Sequence, residues 1–166
     1  MDVAIDELLE RVGNGSFWLT YLSLAAEPVS RVGVHLAIFS RAFLPLVFSG
    51  RKTIEARFSR NRRPPFGKIR EGDIILIKEV SGPICGLALA KRAWFYDLAV
   101  EPLDRIRARY GHTICADEVF WNSRRKAAYA TLIELAEPAP IEPLWCKKRD
   151  RRSWVLLRSS QMAMNF

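Results

Sequence analysis

The sequence has few of the residues from which metal sites and many catalytic sites are built. Among 166 residues it has three cysteines and two histidines. The cysteines, at 85, 115 and 146, are far apart and without C-x-x-C spacing, which disfavours a disulfide framework and a zinc site. We interpret His35 as a hydrogen-bonded strand residue and His112 as part of a loop. We therefore expect no metal and no cofactor, and the thiols fit a reducing, cytoplasmic compartment.

Long apolar runs and nucleotide-binding signatures are also missing. No stretch of 18 apolar residues occurs, so no transmembrane helix is predicted and we expect no membrane partner. The N-terminal MDVAIDELLERV is acidic and lacks the basic n-region and apolar core of a signal peptide. A P-loop, a dinucleotide fingerprint and a Ser-His-Asp set are absent as well. These absences exclude the best-known nucleotide-hydrolysing and triad-based enzymes.

Positive charge, by contrast, is in excess. The chain carries 26 Lys and Arg against 18 Asp and Glu, a formal net charge of +8 and a pI near 9.8. Such an excess favours a polyanionic partner, nucleic acid before an anionic membrane surface. Hydrophobic residues make up 49% of the chain, enough for one domain with its own core.

The pattern of apolar residues predicts short strands separated by turns, preceded by two helical segments. The helical segments are 2–13 and 17–26. Strands are predicted at 34–39, 53–59, 74–80, 84–95, 127–135 and 153–157. Short helices are predicted at 43–48, 102–111 and 116–121, and a Pro-rich link at 137–143. Many short strands with few helices predict an α+β fold containing a small closed β-barrel.

The segment SGRKTIEARFS, residues 49–59, concentrates charged residues on one strand face. Gly50 permits a left-handed backbone where a helix passes into a strand. Glu55 and Arg57 are two residues apart and point the same way, and the long Lys52 side chain can reach that face. Two cations and a carboxylate can hold an anion or the polar edge of a base. The alternative is a solvated strand face with a mutually neutralising Glu–Arg pair.

The same segment resembles the G-x-K-x-x-E-x-R signature of ASCH domains, a branch of the PUA-like superfamily. GDIILIK, GPICGLA, FWNSRRKAAYATLIEL and KKRDRRSWVLL are similar to later landmarks of that family. The resemblance covers residues 34–158, leaving an N-terminal helical extension, 1–33, and a C-terminal tail, 159–166. It implies a PUA-like small β-barrel with short flanking helices and a cleft associated with recognition of RNA or a modified nucleoside.

The resemblance also implies which residues line that cleft: Gly50, Lys52, Glu55 and Arg57. In this interpretation Lys52 and Arg57 hold phosphate or a base carbonyl, and Glu55 accepts from a base amine or orients Lys52. Trp121, in a short predicted helix, is a candidate for the cleft wall, with packing in the core as the alternative.

A basic loop follows the signature. RFSRNRRPPFGKIR, residues 57–70, suits contact with a phosphate backbone, or is a solvated loop. The candidate nucleic-acid-binding residues are Arg60, Arg62, Arg63 and Lys68. The runs at 124–126 and 147–152 extend this patch or are solvated.

Two other functions remain open. Some small relatives hydrolyse N4-acetylcytidine, with a proposed catalytic Lys, a Thr three residues later and a Glu from a later helix. Lys52 matches the Lys, Glu55 stands where the Thr would be, and Glu118 or Asp117 is a candidate for the last. Other relatives resemble metal-dependent ribonucleases. The first alternative is therefore a small hydrolase using Lys52, Glu55 and Glu118, and the second is a protein-interaction module with a basic face.

Overall fold

A computed structural model describes residues 3–147 and 151–160 of the chain. Its helices are α1 (Ile5–Leu9), α2 (Phe17–Ala26), α3 (Leu44–Phe48), α4 (Leu103–Ile114) and α5 (Glu118–Ser123). Its strands are β1 (Val34–Phe39), β2 (Ile54–Ser59), β3 (Ile74–Glu79), β4 (Ile84–Asp97), β5 (Tyr129–Leu144) and β6 (Trp154–Arg158). None of the helices in these ranges combines the length and apolarity needed to cross a membrane.

The strands form one mixed six-stranded sheet in the order β2-β5-β4-β3-β1-β6. The pair β1–β3 is parallel and the other pairs are antiparallel. Irregularities in the register of β4 and β5 help the sheet to curl, because a bulge bends a strand and increases its twist. The predicted α+β fold with a small β-barrel is confirmed, as a curled half-barrel with edge strands β2 and β6 rather than a closed barrel.

The N-terminal helices belong to the hydrophobic core. Leu8, Trp18 and Leu22 are buried in one cluster with residues of β1, β3 and β4. The Trp18 indole N–H donates to the Glu137 carbonyl at 2.7 Å, and the Tyr21 hydroxyl donates to the Gly72 carbonyl at 2.5 Å. The extension, to which sequence analysis assigned no role, therefore covers one face of the sheet.

Helix α4 is longer than predicted. It continues through Gly111 to Ile114, and Cys115 ends it in the left-handed conformation at φ 60°. Because an interior glycine costs a helix only about 1 kcal/mol, Gly111 is tolerated here rather than acting as a terminator. His112, expected in a loop, lies in the last turn of this helix.

Strand β5 is also longer than predicted, and the expected Pro-rich link at 137–143 is part of it. Strand β2 pairs with β5 only from Tyr129 to Glu134, so the rest of β5 has an open edge on that side. Proline lacks the N–H that a central strand needs, and an open edge does not require it. Three prolines are therefore compatible with the strand: Pro138, Pro140 and Pro143.

A buried polar network fixes the start of β6. The Trp154 indole N–H donates to His35 Nδ1 at 3.0 Å, so the other ring nitrogen of neutral His35 carries the proton. That nitrogen, Nε2, lies 3.0 Å from an Asp73 carboxylate oxygen, to which it donates. His35 is 0% exposed and Trp154 3%. Our interpretation of His35 as a hydrogen-bonded strand residue is confirmed.

Candidate nucleic-acid interface

The signature segment connects α3 to β2 as the sequence predicted. Gly50 adopts φ 77° directly after α3, a conformation open to glycine at little cost. In β2, Ile54 and Ala56 enter the core beneath α4, while Glu55 and Arg57 share the opposite face. The alternation therefore placed the charged residues on the correct face.

Lys52 is buried, and its ammonium group is fully used inside the protein. Its side chain is 2% exposed. Nζ donates to the carbonyls of Ile54 at 2.9 Å and Ile114 at 2.7 Å, and lies 3.2 Å from Glu55 Oε2. An ammonium has three N–H donors, so each has a partner. Lys52 therefore fastens the end of α4 to the beginning of β2.

Glu55 lies between the two cations and is held as a carboxylate. Arg57 Nε donates to its Oε1 at 2.6 Å. Burial alone would raise the pKa of Glu55, but the charges and hydrogen bonds of Lys52 and Arg57 outweigh it and lower this pKa. Each carboxylate oxygen has accepted one hydrogen bond from these cations and has capacity for another.

Arg57 connects the two ends of the curled sheet. From β2 its terminal nitrogens donate to the Ile38 carbonyl in β1 at 2.8 Å and to the Ser153 carbonyl at 3.0 Å. Its guanidinium carbon lies 5.2 Å from the ring centres of both Phe39 and Trp154. The guanidinium is therefore held on several sides, as its planar fork of donors allows.

Three adjoining concave regions surround this cluster. The Glu55 cavity, about 380 Å³, is lined by Ile38, Phe39, Ser40, Phe43, Glu55, Ala56, Arg57, Phe58, Phe120, Arg124 and Ser153. The Trp154 cavity, about 320 Å³, is lined by Arg57, Phe58, Ser59, Arg63, Pro64, Pro65, Thr131, Arg152, Ser153 and Trp154. The basic groove, about 590 Å³, is lined by Phe58, Ser59, Arg60, Arg63, Asn122, Ser123, Arg124, Arg125, Lys126 and Ala127. Phe58 borders all three.

The basic groove combines the predicted loop with the end of α5. Arg60 and Arg63 come from the loop, and the cations at 124–126 come from the residues after α5. No carboxylate of the described residues lines it. Arg124 also reaches the Glu55 cavity, and its guanidinium carbon lies 4.3 Å from the Phe120 ring centre. Burial and the nearby charge of Arg57 lower the pKa of Arg124. The sequence indicated Arg124 only as part of a basic run.

Other predicted residues lie outside these regions. Arg62 is exposed, with its guanidinium carbon 5.2 Å from the Tyr129 ring centre, and Lys68 is exposed at the end of the loop. Trp121 is 3% exposed and packs in the core beneath β2, so the alternative of core packing describes its place. Its neighbour Phe120 lines the Glu55 cavity instead.

The acidic residues of the hydrolase alternative do not pair with Lys52. Glu118 forms an ion pair with Arg107 at the surface, and the hydrogen bonds from Arg107 lower the pKa of Glu118. Asp117 caps α5 by accepting from the Phe120 N–H at 2.8 Å. In the part of the chain that the structure describes, no three His, Cys, Asp or Glu side chains are grouped to hold a metal ion.

Comparison with known proteins identifies the fold. No family model matches the chain, and no curated protein matches it significantly. The crystal structure of ASCH from Zymomonas mobilis superimposes with a TM-score of 0.60 at 20% identity, covering 75% of this chain and 87% of that one. This chain has the ASCH fold. A Tyr-to-Phe mutant of the Zymomonas mobilis protein gives 0.60 at 20% identity, covering 75% and 90%. A Ser-to-Ala mutant gives 0.61 at 18%, covering 78% and 92%.

Proposed function

We propose that this ASCH-fold protein binds RNA along the basic groove and takes one base, standard or modified, into the Glu55 cavity. The observation that carries this proposal is the connection between the two: Phe58 and Arg124 line both. Five cations without a carboxylate among the described lining residues suit a phosphate backbone. The adjoining cavity is within the size range of small-molecule sites.

The chemistry of the Glu55 cavity favours a base with an amino group. Glu55 is an anion that can accept further hydrogen bonds, and carboxylates accept from exocyclic amines such as that of cytosine. Phe43 and Phe120 supply aromatic walls on which a base can pack. Reading a base by its edge requires that the base be unpaired, so the expected ligand is single-stranded RNA.

Hydrolysis has less support than binding. A nucleophile or general base needs a lone pair that can reach the substrate. The Lys52 amine is buried and donates all its protons to partners inside the protein, and Glu118 pairs with Arg107. A binding role requires neither residue to be free, because Lys52 then acts only by fixing Glu55.

Fluorescence anisotropy with a labelled single-stranded RNA tests the proposal. The wild-type protein should bind, and log K should fall linearly with log salt concentration. Replacing Arg60 and Arg125 together by Ala should weaken binding and flatten the slope by about 1.4, the sum of about 0.7 for each lost phosphate contact on a single strand. Arg31→Ala is the matched control. Arg31 precedes the first residue of β1, whereas the Glu55 cavity is lined by residues at the C-terminal end of β1.

Two outcomes would contradict the proposal. If Arg31→Ala weakened binding as much as a groove substitution, the groove would not be the site. If the wild-type protein failed to retain RNA but bound an acidic protein through the same cations, an interaction module would be the better description.

A separate incubation tests the hydrolase alternative. N4-acetylcytidine and RNA should both stay intact, and acetate release abolished by Lys52→Ala would instead support the hydrolase.

A further inference from the structure

The Trp154 cavity differs from the Glu55 cavity in having hydrogen-bond donors and no acidic group. Its walls carry guanidinium groups from Arg57 and Arg63 and a hydroxyl from Thr131. No carboxylate of the described residues lines it. The Glu55 carboxylate, which accepts from Arg57 Nε, lines the other cavity. A pocket of donors and positive charge suits an oxyanion.

Arg57 is positioned in advance for such a ligand. Its Nε is used by Glu55, and one N–H of each terminal nitrogen is used by Ile38 or Ser153. A guanidinium has five N–H groups, so two are not used by these three partners. Because these protein partners already fix the Arg57 side chain, little conformational entropy is lost when an anion accepts hydrogen bonds from the two remaining N–H groups.

Thr131 adds a hydroxyl to the cavity wall beside Arg57. It lies directly opposite Arg57 in the β2–β5 register, so both side chains occupy the same face side by side. Thr131 is 1% exposed and lines the Trp154 cavity. Its hydroxyl can donate to a ligand oxygen in the cavity, next to the Arg57 guanidinium.

The Trp154 cavity adjoins the basic groove along which RNA is proposed to bind. The Trp154 ring, fixed by its hydrogen bond to His35, stacks near the Arg57 guanidinium. Arg63 lines both this cavity and the basic groove, and Phe58 borders them as well. A strand in the groove therefore lies next to the mouth of the Trp154 cavity.

We propose that the Trp154 cavity binds a phosphate group, with Arg57, Arg63 and Thr131 as its donors. This inference rests on the proposed RNA function for the source of the phosphate, which is a terminal monoester or an internal diester of the bound strand. A free nucleoside monophosphate offers the same chemistry.

The experiment compares one RNA oligonucleotide with a 5′-phosphate, with a 3′-phosphate and with hydroxyl ends, by anisotropy. A terminal phosphate in the cavity should raise the affinity of one phosphorylated form about tenfold over the hydroxyl form. Thr131→Val should abolish that difference, and Thr131→Ser, which keeps the hydroxyl, should preserve it. If an internal diester occupies the cavity, Thr131→Val should instead weaken all three RNAs about equally. Thr53→Val, a change at a threonine outside the cavity, should alter nothing.

A second measurement separates this inference from the proposed function. Inorganic phosphate and a nucleoside monophosphate should each raise the melting temperature of the wild-type protein, by mass action on the folded state. Thr131→Val should remove this increase while Thr53→Val keeps it. An increase without RNA binding would contradict the proposed function and support the phosphate site. RNA binding and melting temperatures that do not change on Thr131→Val, in a protein that stays folded, would overturn the phosphate site alone.

Discussion

The ion cluster of Lys52, Glu55 and Arg57 and the basic groove carry the same kinds of charge in different surroundings. In the cluster, both cations donate to backbone carbonyls and to one shared carboxylate, and all three side chains are mostly buried. In the groove, Arg60 and Arg125 are exposed. The cluster therefore stabilises the fold, and the groove has charge available for a ligand.

The comparison teaches that the same kinds of charged residue can serve mainly the fold in one place and be exposed to a ligand in another. A charge removed from water costs several kcal/mol unless partners compensate it, and the cluster supplies those partners. An exposed cation has little to lose on the surface and releases counterions when it meets a phosphate. Stability should therefore depend on the cluster and salt-sensitive binding on the groove.

The largest effect on stability is expected from Glu55→Ala. This change removes the carboxylate and leaves Lys52 and Arg57 buried without their shared counter-charge, which typically costs about 3–5 kcal/mol. Urea denaturation should show this loss of unfolding free energy as a lower midpoint at a similar m-value. A change below about 1 kcal/mol would mean that the cluster does not stabilise the fold as its burial indicates.

Arg57→Lys should have a smaller effect. Lysine keeps the positive charge but has no planar fork with which to reach Glu55, Ile38 and Ser153 together. We expect a loss of about 1–3 kcal/mol, measured by the same denaturation. Arg92→Lys, at an exposed arginine paired with Glu134, is the control and should change little. Equal effects at the two positions would contradict the bridging role of Arg57.

The cluster should also contribute to acid unfolding. Because the pKa of Glu55 is lower in the folded protein than its ordinary 4.5, the unfolded chain binds this proton first as the pH falls. The stabilisation is therefore complete above about pH 5 and is lost as the pH falls through the folded-state pKa. Unfolding free energies measured between about pH 6 and 3 should fall more steeply for the wild-type protein than for Glu55→Gln. Parallel curves would show that Glu55 does not titrate in this way.

The smallest effect on stability is expected in the groove. Arg125→Ala removes an exposed side chain that hydrogen-bonds Asn122, so unfolding free energy should stay within about 0.5 kcal/mol of wild type. The salt slope of RNA binding should nevertheless fall by about 0.7, one phosphate contact. A destabilisation similar to that of Arg57→Lys would remove the distinction between the two regions.

Strand β2 shows how far the sequence predicted the site. Its strict alternation assigned Ile54 and Ala56 to one face and Glu55 and Arg57 to the other, and the structure agrees. The same reasoning did not show that Lys52 would be buried. That depends on the carbonyl of Ile114, 62 residues away in sequence, which local spacing cannot locate.

The misplaced boundaries have a similar cause. Gly111 and the prolines of β5 are ordinary signals for an ending, yet α4 and β5 continue through them. A proline is tolerated in a strand where no neighbouring strand needs an N–H from that position. Here β2 pairs with β5 only from Tyr129 to Glu134, so the later part of β5 has no partner on that side. Likewise, Trp121 packs in the core against β2, and this leaves its neighbour Phe120 to line the Glu55 cavity.

The sequence by itself determined the class of fold, the strands of the sheet, the faces of β2 and the excess of positive charge, because these follow from local periodicity and composition. Only the tertiary structure decided which charged side chains are buried with partners inside the protein and which are exposed at the surface. That outcome depends on desolvation and on partners from distant segments: Arg57 meets Ile38 and Ser153 only when the sheet curls, while Arg124 and Arg63 meet across a groove only when α5 packs beside the loop.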